Sequence, residues 1–164
     1  MTRRGLVAVA AVALIALFGT WLGGNALAAS SKGPTLELSV ILATKTDGGA
    51  SIDPQLRDLP QLTRDQPFVK YNVYKLLDRK PFPLAVGKPI TYAMVNGHTV
   101  QVTLASVATD KTEKRYQMEA QIGEPGKPAF LKSLQVTTSE GEPFFVGGQS
   151  YQGGTLFLEL LVRP

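Results

Sequence analysis

The stretch that decides the fold runs from Ile90 to Leu104, ITYAMVNGHTVQVTL. At its centre sits Asn96-Gly97. Both residues tolerate positive φ, which a two-residue type I′ turn requires at each central position. Ile90, Tyr92 and Met94 alternate with Thr91 and Ala93 before the turn. Val100, Val102 and Leu104 alternate with Thr99, Gln101 and Thr103 after it. Side chains two apart share one face of a strand. The stretch therefore predicts an antiparallel hairpin with one face on a core and the other in water.

The same period-two pattern continues downstream. A second hairpin is expected through Thr109 to Lys114, with Tyr116, Met118, Ala120 and Ile122 inward on its return arm. Gly123 to Pro128 reads as a loop. Phe130, Leu131, Leu134 and Val136 mark the next strand. Glu140 to Pro143 turns the chain into Phe144-Phe145-Val146. The last strand, Thr155 to Val162, carries Leu156, Leu158, Leu160 and Val162 on one face and Phe157 and Leu161 on the other. A strand apolar on both faces is central or covered.

Upstream, Leu36, Leu38, Val40 and Leu42 define a first strand that ends in the turn signal Lys45 to Gly49. Residues 46–67 form a long connection with one short helix. Asp53 suits an N-cap, Pro54 the first helical position, and Pro60 limits the helix to one or two turns. Leu56 and Leu59 make this segment a packed cover over an open sheet edge. Val69, Tyr71 and Val73 read as a second strand. The change of apolar face at Tyr74, Leu76 and Leu77 signals a bulge. Asp78 to Pro83 reads as a charged turn, and Leu84 to Val86 as a short edge strand.

Seven to nine short strands with turn signals about every ten residues indicate an all-β fold, an antiparallel β-sandwich over residues 35–164. The 46–67 connection suggests a Greek-key crossing. An immunoglobulin-like topology stays open, although its Cys and Trp signature is missing, since the only Trp is Trp21.

Residues 1–28 read as a secretory signal peptide. Arg3 and Arg4 precede an apolar run from Gly5 to Phe18, and Ala26-Leu27-Ala28 offers small residues to a signal peptidase. Gly19, Gly23, Gly24 and Asn25 interrupt helix. Cleavage near Ala28 would leave residues 29–34 as a polar leader before the domain, in the periplasm or outside the cell. The rival is an uncleaved inner-membrane anchor, the only membrane contact the chain suggests. The chain has no Cys, which excludes lipoprotein acylation, disulfides and thiol chemistry.

Of 17 basic and 13 acidic residues, two arginines leave with the signal, so the mature chain carries +2. Between Arg57 and Lys88, seven basic side chains stand against three acidic ones, spaced as on a solvated face. An exported chain without a basic stripe argues against nucleic acid. Its expected partner is an envelope or extracellular protein, with polysaccharide as the alternative.

No residue set carries a recognisable chemistry, so no catalytic residue, metal ligand or cofactor is assigned. His98 stands alone at a hairpin tip and reads as an exposed turn residue. Gly147 to Gly154 brackets an aromatic and two amides with glycine pairs. It lacks the Lys and following helix of a phosphate loop. As a contact loop it would use Tyr151 as a rigid surface, with Gln149 and Gln152 as polar arms. Arg57 and Arg64 are the basic contact candidates of the 46–67 connection. The expected function is a non-catalytic binding or accessory domain, acting by strand addition at an edge or through end loops. One rival is a carboxylate hydrolase, which would need Asp47, Asp53, Glu140 or Glu142 to converge. The other is a carbohydrate binder with Tyr74 and Tyr151 exposed on one face. Tyr71, Tyr74, Tyr92 and Tyr116 otherwise read as core tyrosines with hydroxyls at the rim.

Overall fold

A computed structural model describes residues 33–110, 112–127 and 130–164. The expected signal peptide, residues 1–28, and residues 29–32 of the expected leader lie outside the described residues. Among the described residues there are nine strands: β1 Thr35–Thr44, β2 Ser51–Ile52, β3 Val73–Pro83, β4 Pro89–Ala93, β5 Thr99–Asp110, β6 Glu113–Gly123, β7 Phe130–Ser139, β8 Phe144–Tyr151 and β9 Gly154–Arg163. One short helix, α1, spans Gln61–Arg64, between 3₁₀ turns at Pro54–Leu56 and Phe68–Lys70. The strands form two sheets, ordered β2-β3-β1-β9-β8 and β4-β5-β6-β7. All pairs of strands are antiparallel except β2 with β3. The result is a sandwich-like, antiparallel-dominant fold.

The residues expected inward make the core between the sheets. Leu36, Leu38, Val40 and Leu42 of β1 meet Val100, Val102 and Leu104 of β5, Tyr116, Met118 and Ala120 of β6, and Leu156, Leu158, Leu160 and Val162 of β9. The decisive hairpin pairs Tyr92 with Val100 and Ile90 with Val102.

Its turn differs from the expected type I′. The Gly97 N–H donates to the Met94 carbonyl at 3.0 Å, and Met94 N–H donates to His98 O at 2.8 Å. Gly97 has φ +82, whereas Asn96 keeps a negative φ. This is a three-residue loop closed by a left-handed glycine. Asn96 uses its side chain instead: its Oδ1 accepts from His98 N–H at 3.2 Å, and its Nδ2 donates to Gln149 Oε1 at 2.6 Å.

The two-residue turn with both φ values positive joins β8 to β9, at Gln152 (φ 46) and Gly153 (φ 77). Gln152 bears the cost of a left-handed backbone, which Asn tolerates better. Gln152→Asn is expected to raise stability by about 0.5–1 kcal/mol. Urea denaturation checks this, and an unchanged midpoint would count against the turn geometry.

Two local readings are corrected. Val69 to Tyr71 is not strand: Phe68–Lys70 is a 3₁₀ turn, and β3 begins at Val73. Asn72 redirects the chain, since its Nδ2 donates to Thr46 O and Gly48 O while its Oδ1 accepts from Thr46 N–H. Asp78 to Pro83 is not a turn but the second half of β3, paired with β1 as far as Thr35. β2 covers only Val73 and Tyr74 of β3, so Pro81 and Pro83 lie where no second neighbour needs their N–H. The expected bulge is present. Register passes from Val40↔Asp78 to Ile41↔Leu76, leaving Leu77 extra. Tyr74 and Leu76 thereby face outward, while Leu77 and Phe82 face the core between the sheets. The Leu84 to Val86 edge strand reduces to a single bridge, Val86 to Leu104.

The 46–67 connection does not cross between sheets. It leaves β1 and returns to β3, which pairs with β1, and the second sheet is a plain meander. Asp53 caps as expected, its Oδ1 accepting from Gln55 N–H at 3.0 Å, but the helix it starts is one 3₁₀ turn. α1 forms only after Pro60. Leu56, Leu59, Leu62 and Phe68 cover the outer face of the first sheet, against Ile41, Ala43, Tyr74 and Phe157. The cover lies on a face, not an edge. That explains why β1 and β9, the inner strands beneath it, are apolar on both sides.

Candidate functional site

The outer face of β8 and β9 is only partly covered. Where the cover stops, an open groove of about 690 Å³ remains. Gln61, Asp65, Gln66, Pro67, Phe68, Lys70 and Tyr71 form its wall on the cover side. Glu142 and Pro143 stand just before β8, and Phe145, Gly147, Gly148, Thr155 and Phe157 form the floor of the groove.

The floor is built by one aromatic cluster. Phe68 meets Phe157 at a ring separation of 4.7 Å and Phe145 at 4.9 Å, edge on. Tyr71 lies 5.8 Å from Phe157 and donates its hydroxyl to Thr155 Oγ1 at 2.8 Å. Lys70 Nζ sits 5.1 Å above the Tyr71 ring. Gly147 is required here by close approach. A Cβ at this position would lie 2.2 Å from Phe157 Cδ1, so the ring fills the space a side chain would take. Beneath the cover, Tyr74 donates to Phe68 O at 2.6 Å. Burial first, and the neighbouring Tyr71 second, push the Tyr74 hydroxyl up to about 12, so it stays a donor. The cover is thus fixed by a buried hydrogen bond as well as by leucines.

Asp65, Lys70 and Glu142 charge the rim, and the Gln61 Oε1 is buried without a partner. Such a surface can grip a large apolar side chain while orienting polar groups beside it. Among the described residues, no group of three or more His, Asp or Glu side chains could hold a metal ion.

None of the five contact residues expected from sequence lines this groove. Gln149 joins the sheets through Asn96. Tyr151 is half-buried against the inner core. Gln152 is exposed, and its Nε2 donates to the Tyr151 hydroxyl at 3.2 Å. Arg57 and Arg64 are exposed on the cover, after its first turn and at the end of α1. His98 is half-buried, not exposed, and its Nδ1 has no partner.

Asp53 does not converge with Glu140 and Glu142. Asp53 N–H bonds Tyr74 O, at the level of Ala43, while Gly141 N–H, beside Glu140 and Glu142, bonds Val162 O, at the level of Leu36. Seven residues of β1 separate those levels, about 23 Å. A tyrosine platform is absent too. Tyr74 is 3% exposed on the outer side of the first sheet, and Tyr151 packs on the inner side. Tyr92 and Tyr116 are core tyrosines whose hydroxyls donate to Asp78 and Glu140. The Tyr92 bond, more than any other contact, holds the Asp78 carboxyl below its usual range.

No family model, curated protein or solved structure matches this chain. The site is therefore read from its own chemistry. Sequence patterning missed the groove because its lining comes from three separated segments, residues 61–71, 142–148 and 155–157. One signal was visible, the off-pattern Phe157 on β9.

Proposed function

We propose that this is an exported, non-catalytic binding or accessory domain of the bacterial envelope or extracellular space, and that the outer groove holds a partner protein. The carrying observation is the groove itself: half-buried Phe145 and Tyr71 line it above the buried rings of Phe68 and Phe157, with charges of both signs at its rim. Aromatic anchors in a water-excluding hollow with a polar rim are the usual energetic centre of a protein contact. Export is supported by the basic, apolar and small-residue order of residues 1–28. The placement of Asp53 far along β1 from Glu140 and Glu142 weighs against the hydrolase, and the opposed tyrosines weigh against sugar stacking.

A photoreactive residue at Gln66, on the groove rim, is expected to give a defined protein adduct in the intact cell. The same group at Thr91, exposed on β4, gives none. Lys70→Glu reverses one rim charge and should weaken the adduct about tenfold. Adducts of equal yield from both sites, or only glycan adducts at Gln66, would overturn the reading. N-terminal sequencing of the cell-derived protein is expected to start at Ala29, and a start at Met1 would remove the cleaved signal.

A further inference from the structure

We infer that β8 is an acceptor edge for one extended, uncharged strand of a partner protein, whose alternate side chains enter the outer groove and the slot between the sheets. The inference deepens the binding reading above and rests on it.

β8 ends the first sheet, and among the described residues it pairs only with β9. There is open space on both of its faces. Outside lies the groove floored by Phe145 and Phe157. Inside, between the sheets, lies a slot of about 260 Å³ lined by Val146 and Leu158 of the first sheet and by Val100, Ala120, Ile122 and Leu134 of the second. A strand laid beside β8 would point successive side chains to opposite faces. One set would stand beside the half-buried Phe145 at the groove, and the other would meet an apolar slot. Neither hollow alone specifies a strand, but two hollows flanking one unpaired edge do.

Of the other edges, β3 and β4 are defended, while β7 carries one lysine, Lys132, and no proline. β4 opens on Pro89, and the free side of β3 carries Lys75, Lys80, Pro81 and Pro83. Lysine and proline are the ordinary guards against strand pairing. Phe144 to Tyr151, FFVGGQSY, has neither and bears no charge. At its centre Gly147 and Gly148 leave no side chain to hold an incoming backbone away. The bulge between Gly147 and Gln149 divides the edge into two short ladders. The strand that fits is therefore short. It is apolar at the slot positions, aromatic or branched at the groove positions, and free of charge until it reaches the rim of Asp65, Lys70 and Glu142.

The test uses the full chain as exported and a synthetic probe, a lysine-flanked hexapeptide alternating phenylalanine and valine. Its control has the same side chains with alternate backbone nitrogens methylated, which removes the donors along one edge. Hydrogen exchange is read amide by amide. The probe is expected to slow exchange across Phe144–Tyr151 by about tenfold, and the methylated control to leave it unchanged. Val146→Lys, checked for an intact fold by thermal melting, should abolish the effect by filling the slot mouth. Protection centred on β4 or β7 would overturn the inference, as would no binding at about 1 mM probe. Equal binding of the methylated peptide at the groove would also overturn it, while leaving the groove contact standing. Free protein that is dimeric, with β8 already protected, would assign the edge to a second copy instead. Loss of the Gln66 adduct in cells is a separate result and bears on the binding reading alone.

Discussion

Phe157→Ala is expected to lower folding stability by about 3–5 kcal/mol, the range for emptying a buried aromatic site. Against a typical total of about 5–15 kcal/mol this is a large loss, yet the core between the sheets remains. The ring is 3% exposed and touches Phe68, Tyr71 and the backbone of Gly147. Its removal takes away the surface on which the end of the cover rests. Urea denaturation should show the fall in midpoint, and hydrogen exchange should show residues 61–71 opening before the strands. Gly147→Ala acts on the same contact from the other side, because the added methyl and the ring cannot share one place. Combined with Phe157→Ala, it should cost much less than it does alone, since the clash is gone. Additive losses would mean that the ring does not occupy that space. A loss under about 1 kcal/mol for Phe157→Ala would mean that the cover is not packed on it.

Much of this packing was legible in the chain. Alternation alone placed the inward residues of β4, β5, β6 and β9, because a half-buried strand repeats every two residues. Leu76 and Leu77, adjacent and both apolar, gave away the bulge. Asp53-Pro54 located the start of the first turn in the cover. Where local chemistry and pairing disagreed, pairing won. Lys80, Pro81 and Pro83 read as a turn, yet β1 holds them extended and the vacant far side tolerates the prolines. Val69 to Tyr71 alternated like a strand, yet Asn72 pins the chain to Thr46 and Gly48, and Phe68 joins the cover. The groove was not legible, because Phe68, Tyr71, Phe145 and Phe157 share no periodicity. Phe157 was its trace, as Ile41 was of the cover: apolar residues on the face expected to be wet require a third layer.

Glu159 carries the second prediction. It lies on β9 between Ser39 of β1 and Phe145 of β8, beneath the cover, and is 1% exposed. Neither carboxylate oxygen has a hydrogen-bond partner. The charged groups around it are already engaged or of its own sign. Arg79 of β3 donates from Nε to Ser39 Oγ at 3.1 Å and from its NH2 group to Gln55 O at 3.2 Å, and it pairs with Glu37. Glu37 of β1 is also held by Arg163, and Asp58 of the cover adds a further negative charge. Burial above all raises the Glu159 carboxyl over its ordinary value of 4.5; Glu37 and Asp58 add to this, while Ser39 and Arg79 oppose it. The folded chain thus keeps the proton to higher pH than the unfolded chain does. Between the two values the folded state binds more protons, so stability falls as pH rises from the ordinary carboxyl range through the raised one. Above that window the charge is buried at its full cost. Glu159→Gln, neutral and of the same shape, is expected to gain about 1–3 kcal/mol at pH 8 and to match the native chain near pH 4.5. Urea denaturation at the two pH values measures this. If the glutamine variant were weaker at pH 8, the carboxylate would be a paired and stabilising ion, and the layer over β1 and β9 would have to be packed around a contact to Arg79.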